Sequence, residues 1–154
     1  MMMKSNSEGS GRNVNVEEMA EEVKDFYRWL DTPYPVSNKD YIKFVVHAIR
    51  RLFVDRNRPN EFDRTAYTTD EDDILYYNYD FDIIQEEYIF ILSKLELMRM
   101  IMSDMSGDKA MSYTTNALSV TGAKEGYKSV QQEIDDLERD RLIVFHKMMV
   151  NESD

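Results

Sequence analysis

The stretch from Phe81 to Met105 constrains this chain more than any other. Phe81, Ile84, Tyr88, Ile91, Leu95, Met98, Met102 and Met105 advance by threes and fours, which aligns them on one face of a helix and, sustained this long, makes a heptad seam. Ile83, Phe90 and Leu97 form a second apolar column, and Ile89, Leu92, Met100 and Ile101 add apolar surface off the seam. A helix apolar on several sides needs cover from several directions. The expectation is therefore an all-α fold, a bundle of about four helices around a long central helix near 81–105. The seam suits a core within one chain or a contact between chains.

The rest of the chain supplies the cover. Asn15 caps a first helix near 15–31, with Glu17 and Glu18 in its first turn and Val16, Met19, Ala20, Val23, Phe26, Tyr27 and Leu30 in one stripe. Trp29 is expected to cap the edge of the core. The run Thr32-Pro33-Tyr34-Pro35 stops that helix. Ser37 or Asn38 caps a second helix near 38–56, with Asp40 three residues after Ser37 in a box-like arrangement, and its buried face is Tyr41, Ile42, Val45, Val46, Ile49, Leu52 and Phe53. Ser106-Gly107-Asp108 ends the central helix. Residues 111–120 carry hydroxyls without a helical period and read as an extended segment before a last helix near 122–149. The single helical domain spans 14–150, and the polar residues 1–13 read as a disordered arm.

Composition narrows the function. There are 30 acidic and 19 basic residues, a net charge of −11, which argues against a general nucleic-acid binder. Without cysteine there is no disulfide framework, thiol nucleophile or cysteine-ligated zinc. The opening residues have no apolar core of a secretory leader, and no apolar run is long enough to cross a membrane. Thr68 to Asp73 is rich in carboxylates, but a calcium loop needs a glycine turn and a closing glutamate that are missing here. His47 and His146 lie far apart and read as packed or surface residues. Neither an enzyme nor a cofactor or metal site is expected.

Interaction is where the residues point. Arg50, Arg51, Arg56 and Arg58 crowd the end of the second helix and read as a helix cap, as a contact with an acidic neighbouring subunit, or as a contact with DNA phosphates. The unpaired backbone of an extended segment suits docking on another chain, which makes Met111, Tyr113, Leu118 and Val120 candidate partner contacts. Phe145, Met148 and Met149, at the apolar end of the last helix, are a second candidate set.

The order of the second half adds a resemblance. Phe81 to Ile101, carrying Glu86-Glu87-Tyr88-Ile89 and Leu95-Glu96-Leu97-Met98-Arg99-Met100, is followed by Asp108-Lys109-Ala110-Met111-Ser112-Tyr113, then Ala117-Leu118-Ser119-Val120 and a charged closing helix. This resembles the head–tail connector, adaptor or head-completion proteins of the tailed-bacteriophage neck, over roughly residues 80 to 150. The resemblance implies a virion protein made in the host cytoplasm. It implies a ring of copies, commonly twelve, between the portal and the tail or stopper proteins, with DNA passing through the lumen unbound. An acidic lumen repels phosphates and lets the genome slide. The alternatives are a small acidic binder that mimics DNA and a tail-completion subunit.

Overall fold

A computed structural model describes residues 12–30, 34–106 and 117–153. The elements in chain order are β1 (Arg12–Asn15), α1 (Val16–Arg28), α2 (Asn38–Asp55), β2 (Tyr67–Thr69), β3 (Leu75–Phe81), α3 (Ile83–Ser106) and α4 (Ala117–Ser153). The fold is mainly helical. Each early helix starts where its side chains satisfy the open backbone N–H groups. Asn15 accepts from the Glu18 amide at 2.9 Å. Ser37 and Asp40 form a reciprocal capping box. Asp82 and Gln85 do the same for α3, at 2.8 and 3.1 Å. The end of α2 closes differently. Asn57 takes a left-handed φ of 61°, and the Asn57 and Arg58 amides donate to the Val54 and Phe53 carbonyls. That is a Schellman motif, in which asparagine tolerates the left-handed position.

Two expectations are corrected by a small sheet. Antiparallel strands in the order β1-β3-β2 join the helices, so the chain is not all-α. Nor is it a plain bundle around one long central helix, since α4, with 37 residues, is longer than α3, with 24. Phe81 belongs to β3 rather than to α3. Residues 12 and 13, assigned to the arm, lie in β1, where Val14 is buried opposite Tyr77. Strand β3 alternates as a half-buried strand should. Tyr77 and Phe81 point inward and Asn78 and Asp80 outward. The hairpin between β2 and β3 turns on Asp70, whose carboxylate accepts from the Asp72 and Ile74 amides. The Asp70 carboxylate of this acidic loop therefore serves the turn.

The core lies between sheet and helices. Phe53 of α2 has the rings of Tyr79, Phe62, Tyr77 and Phe81 around it at 5.0 to 6.1 Å. Helix α3 packs along α2 and α4 and also meets α1. Tyr88, Ile89, Leu95, Leu97, Met98 and Ile101 are fully buried on it, on more than one side. Ile83, placed in the second apolar column, is instead exposed. Trp29 does not cap the core edge; it is 87% exposed, because α1 ends at Arg28 and the indole lies on the far side from Val23 and Tyr27. The extended segment is also corrected in part. Ala117 to Val120 are helical, because four residues of alternation cannot distinguish a strand period from a helical one. The remainder of that segment, including Met111 and Tyr113, lies outside the described residues.

Candidate functional site

A cleft of about 390 Å³ opens between α2, α3 and α4. Asp55 and Arg141 of its lining are joined through the hydroxyl of Tyr88, which donates to Asp55 and accepts from Arg141 at 3.4 Å. Asp55 also accepts from Arg51 at 2.9 Å. On the other side Arg141 donates to Glu138 at 2.6 Å, and Arg99 reaches the second oxygen of the same carboxylate. One line of charge-assisted bonds thus runs Arg51, Asp55, Tyr88, Arg141, Glu138, Arg99 across three helices. His47 and Glu96 form a further pair at the rim, 3.0 Å apart.

The electrostatics make this a clamp. Burial pushes the Tyr88 phenol well above its usual range, and the hydrogen bond to Asp55 pushes it the same way. Such a phenol is neither a base nor a nucleophile near neutral pH. Burial also raises Glu138, but Arg141 and Arg99 outweigh it and hold the carboxyl below its ordinary value. Each carboxylate of the line already has an arginine. Lys94 makes a second inter-helix contact, with its ammonium 4.2 Å from the Phe90 ring centre and 5.1 Å from that of Phe26. Burial lowers its pKa against the opposing pull of Asp140, Glu133 and Glu87. Among the described residues no cluster of three or more metal-ligating side chains occurs. No described helix is long and apolar enough to cross a membrane.

The expected interaction residues that are described do not share one surface. Arg56 is buried, with its guanidinium on the Phe53 ring and a hydrogen bond to the Tyr79 hydroxyl. Arg51 faces the cleft, and Arg58 pairs with Glu61 at 3.3 Å. Arg50 is exposed. Burial withdraws Arg56 from any subunit contact. Met148 is likewise buried, and Phe145 and Met149 pack against the core, Phe145 with its ring 6.0 Å from that of Tyr88. Leu118 and Val120 lie on α4. Among the described residues the exposed large apolar side chains are others: Trp29, Val54, Ile83, Leu142, Ile143 and Val150. Spacing held the signal for part of this. Val130, Leu137 and Val144 repeat every seven residues and face inward, which leaves Ile143 and Val150, themselves seven apart, on another side of α4.

Neither protein-family models, nor curated proteins, nor solved structures give a match to this chain.

Proposed function

We propose that this chain is a non-enzymatic assembly subunit, a head–tail connector of a phage neck that forms a ring between portal and tail. The observation that carries the reading is a set of large apolar side chains that are exposed among the described residues. Trp29 at the end of α1 and Leu142, Ile143 and Val150 on α4 are exposed while Val23, Leu137, Val144 and Met148 beneath them are buried. Tryptophan and large aliphatic side chains on rigid helices are the kind of residue that anchors protein interfaces. The resemblance over the second half supplies the partner class, namely portal, tail or stopper proteins and further copies in a virion. The test is mass by light scattering with negative-stain imaging, for the protein alone and mixed with portal rings. Annular particles, or binding that needs portal, are expected; a monomer that ignores portal overturns the reading.

A second reading, the acidic binder that mimics DNA, gains from one observation. Glu18, Glu22 and Asp25 are exposed on a single face of α1, a row of negative charge. Competition with DNA for a basic protein is its test.

A further inference from the structure

The outer faces of α1 and α2 carry opposite charge on the same spacing. On α1 the exposed positions Glu18, Glu22, Asp25 and Trp29 step by four, three and four. On α2 the exposed positions Lys43, His47, Arg50 and Val54 do the same. Each set is therefore one ridge along its helix, opposite the side that enters the core. The acidic ridge is under strain of its own. Burial raises the pKa of Glu22, and the neighbouring charges of Glu18 and Asp25 raise it further. Asp25 pairs with Arg28 on the same helix, an exposed contact of little worth.

We infer that copies of this chain associate head to tail, the α1 ridge of one copy lying on the α2 ridge of the next. This rests on the ring reading above and names its subunit contact. The direction of the pairing follows from symmetry. Within one copy α1 and α2 run antiparallel, with Lys24 reaching Asn38 while Glu17 and Ala20 share a groove with Tyr41 and Ile42. Adjacent copies in a ring of many subunits differ by a small rotation, so α1 meets the next α2 in the same antiparallel sense. The spacing reads the same in either direction. Laid antiparallel, the ridges set Glu22 against Arg50 and the Trp29 indole over the Lys43 ammonium, a cation–π pair, while Asp25 and His47, which also face each other, keep their own partners Arg28 and Glu96. Charges of one sign on each face also oppose pairing of like ridges, which disfavours a closed two-fold dimer through either.

The test uses two full-length variants. Glu22→Lys with Asp25→Lys makes both ridges basic, and Lys43→Glu with Arg50→Glu makes both acidic. Sedimentation velocity and negative-stain imaging at low salt, with circular dichroism for folding, follow each variant and their equal mixture. Each variant alone is expected to need at least about a tenfold higher concentration than the unaltered chain to assemble. The mixture is expected to recover assembly, because each altered ridge then meets an opposite one. If folded variants assemble as the unaltered chain does, or the mixture does not recover, the contact is wrong while the ring reading stands. If the unaltered chain stays monomeric alone and with portal rings, both fall.

Discussion

The Tyr88 hydroxyl of α3 lies 2.5 Å from the Asp55 carboxylate at the end of α2. Tyr88 is fully buried, so its ring is fixed by the core while its oxygen joins the charged line that ties α2 to α4. Tyr88→Phe keeps the ring and removes the hydroxyl that Asp55 and Arg141 share. A loss of about 1.5–3 kcal/mol is expected, as for other hydrogen bonds to charged groups, measured by urea unfolding. A double-mutant cycle with Asp55→Asn is expected to show strong coupling, since the two residues share one bond.

Tyr77 occupies the centre of the aromatic layer, stacked on Phe62 with ring centres 5.7 Å apart and edge-on to Tyr67 at 4.8 Å. Tyr77→Ala opens a cavity between β3 and α2 and is expected to cost about 3–5 kcal/mol. Tyr77→Phe removes only the acceptor for the Asp63 amide and is expected to cost about 1 kcal/mol. Equal losses in thermal unfolding would mean that the hydroxyl, not the ring, holds the layer.

Arg56 is the one charged side chain among the described residues that the fold buries. Arg56→Ala removes the stem packing, the Phe53 contact and the bond to Tyr79 together. About 2 kcal/mol of stability should be lost, with no change in salt dependence of assembly. Arg50→Ala, by contrast, should leave stability within about 0.5 kcal/mol and weaken assembly.

High pH should unfold the protein through its buried phenols. Burial raises Tyr41 from an ordinary value of 10.0 to about 12, and burial also raises Tyr67 and Tyr88. A group whose folded pKa is raised contributes stability that is complete below its unfolded pKa and is lost as pH rises toward the folded one. The loss should therefore begin near pH 10. Phenolate absorbance from these tyrosines should appear together with loss of helical circular dichroism. Phenolate formation well before unfolding would show that the rings are open to solvent.

Glu22 has the opposite consequence at low pH. Its raised pKa means that the folded chain holds this proton more tightly than the unfolded chain. The penalty is present at neutral pH and is relieved as pH falls through the raised folded value down to the ordinary 4.5. Glu22→Gln should therefore stabilise the monomer slightly at neutral pH, by less than about 0.5 kcal/mol because solvent screens an exposed carboxylate. The same change should weaken assembly. Gain of stability with unchanged assembly would count against the ridge contact.

Much of the helical part was legible, for local reasons. Asn15, Ser37 and Asp40 cap their own helices, and the stripes on α1 and α2 are long enough to define a period. The sheet was not legible as a sheet. The aromatic run Ile74 to Tyr79 suits a strand or a short helical turn, and Arg12 to Asn15 are four mostly polar residues. Only pairing with a distant strand makes Val14 a core residue. Arg56 was misread because a cluster of arginines in sequence says nothing about which way each one turns; helical spacing sends Arg50 outward, while the Schellman turn carries Arg56 toward the Phe53 ring. The described part of the last-helix set turns inward for a similar reason. Phe145 and Met148 are apolar because they meet α3, and the surface left free is marked by Trp29 and Ile143, which lie off the buried stripes.

The place of β1 in the sheet bears on how the chain is made. Val14 leaves the ribosome early, and α1 directly behind it can coil at once. The residue Val14 pairs with is Tyr77, which is still unsynthesised when α1 and α2 are complete. Until then α1 has an unanchored leading edge and Val14 stays in water. The first residues of the domain are thus among the last to settle, and β3 is the segment whose arrival closes the fold. A nascent chain arrested before Leu75 should keep its N-terminal end open to proteases; one arrested well after Phe81 should not.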